Sequence, residues 1–355
     1  MKYALIGCGM ISPNHINAAL QNELEIVALC DIVEENRNKA LALIPEEKRS
    51  GVRLYADYNE MLTELHPQLV AIALGSGLKR RISVDCMRAG ANVIVEKPIA
   101  LSLAEADEMI ATAKECSVLL AVNHQLRFGQ TVRALKSEVE AGHFGKLLHG
   151  TVQVRRNRNK AYFDAGKWRG TWAQDGGTLM NQCIHYTDLL QWFMGSNVEE
   201  VFAYTDRLAH PYIEAEDMGL ALVKFKNGAY GMIEGTVNTY PKNLSDSMAL
   251  FGDTGTVSLS GKSLDDVHAW SFAEGPQTRD EALTAFGIED MGSGHAPLYR
   301  NVIDTLEGRG SLLCPPEDGR QALELILAIY KSKKTGQPVK LPLDDFASRD
   351  MAGTF

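Results

Sequence analysis

Two separated groups of side chains have the types that proton and hydride chemistry requires. The first is the tripeptide EKP at 96–98, whose lysine follows an apolar, strand-like run. The second is the segment 176–195, which carries Asn181, His185 and Asp188. An ammonium group can hydrogen-bond a hydroxyl and stabilise negative charge as an alcohol loses its proton. An imidazole, with an unperturbed pKa of about 6.5, can accept that proton.

The tripeptide follows a β-branched run at 93–95, which is typical of a strand buried on both faces. Because ligands bind beyond the carboxyl ends of parallel strands, Glu96 and Lys97 are expected beside a cofactor. Pro98 ends the strand and is compatible with a cis bond that turns the lysine inward. The alternative for Lys97 is a strand-end lysine that pairs with a surface acid.

The second group is predicted to lie on a long helix over 177–194. In an α-helix Asn181, His185 and Asp188 fall at i, i+4 and i+7 and share one face. Oxidation of an alcohol needs a hydride acceptor and a base, and His185 suits the second task. The alternative for His185 is a hydrogen-bonded histidine of the core.

The first residues predict a dinucleotide site. Gly7 and Gly9 come directly after a strand-like run and allow a tight turn with close approach of a pyrophosphate. Met10 and Ile11 complete the loop, so all four residues are candidates for cofactor binding. Ser12 takes the third position of the GxGxxG pattern, where Gly or Ala is usual, and is a candidate helix cap.

Asp31 ends the second predicted strand, 19 residues beyond Ser12. A carboxylate there accepts hydrogen bonds from the adenosine ribose and repels a 2′-phosphate. NAD is therefore favoured over NADP, although Arg37 is placed to soften that preference.

The elements that position these groups predict an α/β fold with two domains. Residues 1–122 read as an N-terminal Rossmann domain with a doubly wound parallel sheet, because short apolar runs alternate with helix-length segments. Predicted strands lie near 3–6, 26–30, 69–74, 93–95 and 118–122, with helices near 13–21, 34–43, 57–65, 79–89 and 102–115.

Residues 123–355 predict a substrate-binding and oligomerisation domain of the α+β class with a large, mainly antiparallel open sheet. The dipeptide Asn227-Gly228 lies between two strand-like runs and is a strong hairpin signal. The segment 251–261 reads as another turn and strand, and a closing helix is predicted near 317–333. An open sheet face buries apolar surface best against a copy of itself, so a homodimer or homotetramer is expected.

Composition excludes several classes of protein. The chain has 36 Lys and Arg against 45 Asp and Glu, a net charge of −9, so neither nucleic acid nor an anionic membrane is an expected partner. No apolar run approaches the roughly 20 residues that span a bilayer, and the N-terminus lacks a signal-peptide pattern. Six scattered cysteines without a CxxC pair suit a reducing, cytoplasmic location. A full set of metal ligands is not evident, so no metal is expected.

The order GxG near residue 7, EKP at 96–98 and GGTLMNQCIHYTDLL at 176–190 resembles the glucose–fructose oxidoreductase / inositol dehydrogenase / MocA family. The resemblance covers nearly the whole chain, including AYFDAGKWRGTW and the C-terminal EDGRQALELILAIYKSKKTGQPVKLP. It implies that Lys97 orients the reacting hydroxyl beside the nicotinamide and that His185 is the general acid/base. It also implies that Asp188 orients the helix rather than doing chemistry.

The chain departs from the family pattern at two places. Many sugar and inositol dehydrogenases of the family have Asp where this chain has Asn181, which is similar to the branch that oxidises the 3-hydroxyl of UDP-N-acetylglucosaminuronate. An amide cannot relay a proton, so His185 would act alone. The loop at 74–83 lacks the usual Pro, Asn and His, so it offers the backbone of Gly75 to the cofactor and no particular side chain.

Two further residues are candidates for substrate binding. Arg127, in VNHQLRF, suits a carboxylate or phosphate, with a salt bridge as the equal alternative. Trp168, in KWRG, can stack on a sugar or base, although a core tryptophan is the simpler interpretation.

These observations predict an NAD(P)-dependent oxidoreductase that acts on a secondary hydroxyl of a sugar, sugar acid or nucleotide sugar. One alternative is a redox-neutral enzyme, an epimerase or glycoside-cleaving enzyme that passes through a keto intermediate; another is inositol dehydrogenase. A non-catalytic NAD(H) sensor is the third, and intact Lys97 and His185 argue against it.

Overall fold

A computed structural model describes residues 1–195, 197–292 and 294–355, which form two compact units. Unit 1 consists of Met1–Ala100, Ala104–Gln125 and Gly292–Gly319; unit 2 consists of Leu101–Leu103, Leu126–Met291 and Arg320–Phe355. Each unit is built around its own β-sheet.

The sheet of unit 1 is parallel and has the strand order β3-β2-β1-β4-β5-β6. Its strands are β1 (Lys2–Ile6), β2 (Glu25–Cys30), β3 (Arg53–Tyr55), β4 (Leu69–Ile72), β5 (Asn92–Val95) and β6 (Leu120–Val122). The chain order reverses between β1 and β4, which makes the carboxyl ends of these strands the ligand-binding edge of a doubly wound sheet. The predicted Rossmann fold is confirmed. Strand β3 was not predicted, because its first two residues are exposed and give no apolar run.

The sheet of unit 2 has the order β13-β12-β11-β7-β10-β9-β8-β14 and is antiparallel except where β7 pairs with β10. Its strands are β7 (Leu147–Arg155), β8 (Val198–Asp206), β9 (Met218–Phe225), β10 (Tyr230–Thr236), β11 (Ser245–Gly252), β12 (Gly255–Ser260), β13 (Asp266–Phe272) and β14 (Val339–Lys340). The predicted hairpin joins β9 to β10, with Gly228 at φ +85°. The α+β class of this part of the chain is confirmed.

The predicted helices lie close to observed ones. The observed α-helices are α1 (Ser12–Gln21), α2 (Glu34–Ala42), α3 (Glu46–Arg49), α4 (Tyr58–Leu65), α5 (Ser76–Arg88), α6 (Leu103–Glu115), α7 (Gln130–Glu140), α8 (Lys160–Asp164), α9 (Ile184–Met194), α10 (Arg279–Ala285), α11 (Ala296–Leu306) and α12 (Pro316–Thr335). The structure thus adds helices for which no segment was predicted, among them α3, α7, α8 and α10. Within the described ranges, no helix is both long and apolar enough to cross a bilayer.

One prediction about the helices is wrong. The segment 177–194 is not a single α-helix, because a π-helical turn over Leu179–Cys183 precedes α9. A π turn has a wider angular spacing than an α turn, so Asn181 does not keep the α-helical phase relative to His185.

Candidate active site

The glycine loop has the geometry that a dinucleotide requires. Gly7 has φ +97°, and a β-carbon there would lie 2.4 Å from the carbonyl oxygen of Ala73, so only glycine fits. A β-carbon on Gly9 would meet nothing within 4 Å, which leaves open space at the start of α1. A pyrophosphate can therefore approach the backbone beside a helix N-terminus.

The rest of the loop differs from the prediction at Ser12. Its hydroxyl donates to the carbonyl oxygen of Gly9 at 2.7 Å, so it braces the loop and does not cap α1. Ile11 takes the cap position without a side-chain hydrogen bond. Met10 is 74% exposed, which leaves an apolar side chain at the mouth of the loop.

Asp31 is fastened to the glycine loop. Its Oδ2 accepts a hydrogen bond from the backbone N–H of Cys8, and its Oδ1 accepts one from Val33, both at 2.8 Å. The guanidinium of Arg37 donates to the backbone carbonyl of Asp31. The residue after Asp31 is Ile32, whose side chain is 87% exposed. The carboxylate of Asp31 and the exposed apolar side chain of Ile32 thus lie next to each other beside the glycine loop.

Glu96 lies at the centre of a buried polar network in unit 1. Its Oε1 is 3.1 Å from Nε2 of His295 and 3.2 Å from Nε2 of His15, and it accepts a hydrogen bond from Asn123. Burial acts to raise the pKa of Glu96, but the hydrogen bonds from His15 and His295 outweigh it and hold the pKa well below its usual range. Glu96 is therefore an anion at neutral pH.

The network continues away from Glu96. Nδ1 of His15 is 2.7 Å from the hydroxyl oxygen of Tyr299. That hydroxyl oxygen of Tyr299 is in turn 3.0 Å from the hydroxyl oxygen of Tyr3. Burial lowers the pKa of His15, so its ring is neutral. His15, Glu96 and His295 also form a metal-ligand set, with ligand atoms within 4.8 Å of one another. Separations of 3.1–3.2 Å are those of hydrogen bonds, and we interpret the cluster as the support of the Glu96 carboxylate.

Lys97 follows β5 and is half-buried, with a cis peptide bond to Pro98. The backbone here is held by Lys79, whose ammonium group donates to the carbonyl oxygens of Lys97 at 2.8 Å and Pro98 at 3.0 Å. Lys79 is only 1% exposed. Nothing in the sequence distinguishes Lys79 from its neighbours Arg80 and Arg81, of which Arg80 pairs with Glu108 on the surface.

His185 lies in the first turn of α9 and is 8% exposed. The helical segment packs closely on the sheet of unit 2 because glycines stand beneath it. A β-carbon on Gly235 would lie 2.4 Å from Sγ of Cys183, and one on Gly219 would lie 2.6 Å from Leu179. Larger residues at positions 219 and 235 would prevent this close packing of the helical segment on the sheet. The packing therefore sets the position of His185.

Asp188, one turn beyond His185, forms a buried two-point ion pair with Arg127. Nη2 of Arg127 is 2.6 Å from Oδ1, and Nε is 2.8 Å from Oδ2. Both side chains are at most 3% exposed, and the guanidinium lies 4.8 Å from the ring centre of Trp192. The guanidinium of Arg127, which was expected to bind a substrate anion, binds Asp188 instead. This contact favours the alternative that Arg127 forms a salt bridge.

Asn181 is held between two neighbours. Its amide nitrogen donates to Asp175, and its oxygen accepts from Nε2 of Gln182 at 2.7 Å. Asp175 is itself 3% exposed and accepts from the backbone N–H of Gly170. A carboxylate is therefore present one hydrogen bond away from Asn181, a feature that spacing along the chain does not reveal.

The remaining predicted site residues are Gly75 and Trp168. Gly75 is the residue before α5, with φ −55°, so its N–H and carbonyl lie at a helix start. Trp168 is half-buried, and the guanidinium of Arg169 lies 5.4 Å from its ring centre and 4.2 Å from that of Tyr162. The proposed contact of Trp168 with substrate stays a prediction.

Glu216 anchors the start of the helical segment that carries His185. It is fully buried, and its Oε1 accepts hydrogen bonds at 2.9 Å from the backbone N–H of Leu179 and from the hydroxyl of Tyr330. Burial raises the pKa of Glu216 to about 8. The carboxyl group is therefore predominantly protonated near neutral pH. The backbone N–H of Leu179, at the start of the helical segment, thus donates to an uncharged acid.

Glu216→Gln is expected to stabilise the protein at alkaline pH. Between the ordinary pKa of 4.5 and about 8, the folded state keeps a proton that the unfolded state has released. Stability due to this group therefore falls as pH rises through that window. Urea unfolding should show a gain of roughly 5 kcal/mol at pH 9 and a smaller gain, about 2 kcal/mol, at pH 6. Glu214→Gln, at an exposed position, is the control. Equal pH slopes for wild type and Glu216→Gln would contradict a protonated Glu216.

Comparison with known proteins agrees with this geometry. The profile of the oxidoreductase family's NAD-binding Rossmann fold matches residues 1–124, and that of its C-terminal alpha/beta domain matches residues 136–341. The WlbA dehydrogenase of Bordetella pertussis, solved with NADH and UDP-GlcNAcA, is 37% identical with a TM-score of 0.88, over 97% of this chain and 98% of that one.

Two more relatives are similar over almost their full length. The WlbA dehydrogenase of Chromobacterium violaceum, solved with the same two ligands, is 36% identical with a TM-score of 0.88, over 97% of this chain and 96% of that one. The myo-inositol 2-dehydrogenase of Thermotoga maritima is 27% identical, over 96% of this chain and 98% of its own length. The two profiles cover most of the chain, which therefore belongs to the glucose–fructose oxidoreductase / inositol dehydrogenase / MocA family of NAD-dependent oxidoreductases.

Proposed function

We propose that this enzyme oxidises a secondary hydroxyl of a nucleotide sugar whose sugar is a sugar acid, with NAD as the hydride acceptor. The observation that supports this substrate class is the similarity of 36–37% to two dehydrogenases solved with UDP-GlcNAcA, over nearly the whole chain. Asn181 in place of the family's more common Asp agrees with the same branch. Free sugars and inositols are the alternative substrates, because similar proteins include a D-apiose dehydrogenase and a myo-inositol 2-dehydrogenase.

We propose that residues 1–122 bind the cofactor and that residues 123–355 bind the substrate. The open space at Gly9 suits the pyrophosphate, and Asp31 suits the adenosine ribose hydroxyls. The proposed cofactor contacts are Gly7, Gly9, Met10, Ile11, Asp31, Gly75, Glu96 and Lys97. The carboxylate of Asp31 repels a 2′-phosphate, so NAD is preferred over NADP, with Arg37 reducing the preference.

In the proposed mechanism, the ammonium group of Lys97 donates a hydrogen bond to the reacting hydroxyl and stabilises its oxygen as the proton leaves. The imidazole of His185 takes that proton, the C–O bond becomes a carbonyl, and the carbon gives up a hydride. Bound NAD supplies the acceptor for the hydride. The Arg127–Asp188 ion pair holds the first turns of α9, and the Asp175–Asn181 contact holds the residues before it. In this scheme Asn181 positions the site and does not move a proton.

The experiment that tests the function is a substrate screen with absorbance at 340 nm. UDP-sugar acids, UDP-sugars, inositols and free sugars are each incubated with enzyme and either NAD or NADP. We expect NADH formation in step with oxidation of a UDP-sugar acid, at a higher kcat/KM with NAD. Substrate conversion without net NADH would instead support the redox-neutral alternative. Absence of conversion for every carbohydrate, together with retained NAD binding, would support the sensor alternative.

We also propose that the enzyme is a homodimer or homotetramer that assembles through the sheet of unit 2. Large apolar side chains are exposed on adjacent strands β8, β9 and β10: Tyr204, Leu220, Leu222, Tyr230 and Met232. They lie side by side in register, with Tyr204 opposite Leu220 and Leu222 opposite Met232. A second copy of the same face would cover them.

Sedimentation at micromolar concentration is expected to give two or four times the mass of one chain. Leu222→Lys should shift the equilibrium towards the monomer, because it places a charge in the centre of the apolar face. Val267→Lys, on an exposed position of β13, is the control. A wild-type protein that sediments as a monomer would contradict this proposal.

The six cysteines are free thiols in the described chain, which suits a reducing compartment, and we propose the cytoplasm as the location.

A further inference from the structure

A pocket in unit 2 carries more positive charge than its own acid can neutralise. Its lining includes Arg156, Arg158 and Lys262, with Asp246 as the single carboxylate and Asn243 and Ser245 as neutral polar groups. We infer that this cationic pocket binds the diphosphate of a nucleotide-activated substrate. The inference rests on the proposed function and names the part of the substrate that the chain recognises.

The two arginines of the cationic pocket have different partners. Arg156 forms an ion pair with Asp246, with Nη2 at 2.6 Å and Nε at 3.1 Å from Oδ2. The hydrogen-bond partners of Arg158 are neutral: Nη1 donates to the carbonyl of Asn157 at 2.7 Å and to Oδ1 of Asn243 at 3.2 Å, and Nη2 donates to Oε1 of Gln182 at 2.8 Å. Among residues 1–195, 197–292 and 294–355, no carboxylate lies within salt-bridge distance of Arg158.

This arrangement is costly without an anion. Burial lowers the pKa of Arg158 and the neighbouring charge of Arg156 lowers it further, and together they outweigh the opposing effects of Tyr162 and Asp246. The side chain is only half-exposed and lies over the ring of Tyr162, with the guanidinium carbon 5.1 Å from the ring centre. A half-buried guanidinium beside a second guanidinium gains most from an anion that both can reach.

The charge of the pocket fits a diphosphate better than a carboxylate. Three cations face one carboxylate, which leaves an excess of two positive charges. The diphosphate bridge of a nucleotide sugar carries about two negative charges at neutral pH, whereas a sugar carboxylate carries one. Guanidinium groups also match phosphate oxygens in geometry.

The pocket adjoins the segment that carries His185. Oε1 of Gln182, three residues before His185, accepts from Nη2 of Arg158 at 2.8 Å and from Nη1 of Arg156 at 3.2 Å. The guanidinium of Arg156 lies 5.8 Å from the ring centre of Tyr186, the residue after His185. A diphosphate held by these arginines therefore lies beside the helical segment that carries the proposed base.

The test measures binding of UDP by calorimetry with saturating NAD present, so that the dinucleotide site is filled. Arg158→Gln is expected to raise the Kd for UDP at least 10-fold, and Lys262→Gln about 3-fold. Lys262 is exposed, so its replacement does not threaten the fold. Arg155→Gln is the matched control, because Arg155 neighbours the pocket in sequence but pairs with Glu234 outside it. The control should bind UDP within about 2-fold of wild type.

The outcomes separate this inference from the proposed function. Selective loss of UDP affinity in Arg158→Gln and Lys262→Gln supports the cationic pocket as the diphosphate site. UDP that fails to bind the wild type, or that binds Arg158→Gln and Arg155→Gln equally well, overturns the inference. In that case NADH formation from a free sugar acid or an inositol would still support the oxidoreductase function, with a substrate that lacks a diphosphate. Glucuronate, titrated in the same way, is the carboxylate probe: if Arg158→Gln lowers its affinity by the same fold-change as that of UDP, the pocket binds anions in general and the diphosphate assignment is overturned.

Discussion

Lys97→Met is expected to lower kcat by about 10³-fold while leaving NAD affinity within a few-fold of wild type. Methionine keeps most of the length of the side chain but removes the charge that would stabilise the alcohol oxygen as its proton leaves. Because the backbone of Lys97 is held by Lys79, the substitution should leave the turn after β5 in place. The measurement is steady-state oxidation of the responsive substrate at 340 nm, with NAD affinity from quenching of protein fluorescence.

Lys79→Met provides the comparison that separates chemistry from position. The ammonium of Lys79 donates to the carbonyls of Lys97 and Pro98, so its loss should loosen the turn and lower thermal stability together with kcat. Added ethylamine is expected to restore part of the kcat of Lys97→Ala, whose short side chain leaves room for the amine, but none of that of Lys79→Ala. If Lys97→Met kept more than a fifth of wild-type kcat on every responsive sugar, the role proposed for Lys97 would be wrong.

The sequence predicted the architecture well because the strands of the Rossmann sheet are short, apolar and separated by helices. The central strand β4 is buried along its whole length, and such runs stand out from any surface segment. The hairpin at Asn227-Gly228 was predictable for a local reason, since Gly228 needs a positive φ. Both signals lie within a few consecutive residues.

The features of the site that the sequence did not predict are contacts between distant residues. Nothing in the sequence indicates that Glu96 is supported by His15 and His295, because these residues are far apart along the chain. Lys79 lies in a basic stretch that reads as solvated surface, yet it is buried against carbonyl oxygens. Such contacts follow from the topology of the sheet, which spacing does not encode.

Packing bears on one alternative that the sequence left open and on one prediction that was wrong. Arg127 was equally suited to a substrate anion or to a salt bridge, and its two-point contact with the buried Asp188 favours the second. The π-helical turn before α9 changes the angular relation between Asn181 and His185 that an α-helix would impose. The glycines at 219 and 235 allow the helical segment to pack closely on the sheet. They are visible in the sequence, but the sequence does not show that they lie against Leu179 and Cys183.

His185→Gln is expected to lower kcat for alcohol oxidation by about 10²- to 10³-fold near neutral pH. Glutamine keeps hydrogen-bonding capacity in a nearly buried position, so the fold of α9 should remain intact. The proposed base must be neutral before it accepts a proton. The wild-type rate should therefore rise with pH as the imidazolium of His185 loses its proton. That rise should be absent in His185→Gln, whose residual rate should instead increase at high pH, where solvent base replaces the imidazole.

The control is His149→Gln, because His149 is exposed on β7 and stacks on Phe251 outside the segment that carries His185. It should keep both the rate and the pH profile of the wild type. The Arg127–Asp188 pair supplies a second distinction. Asp188→Asn leaves a buried guanidinium without its carboxylate and should lower stability by about 3 kcal/mol. It should nevertheless keep the rise of rate with pH, because His185 remains. A His185→Gln profile that kept the wild-type rise would assign the proton transfer to another group, whatever the loss in rate.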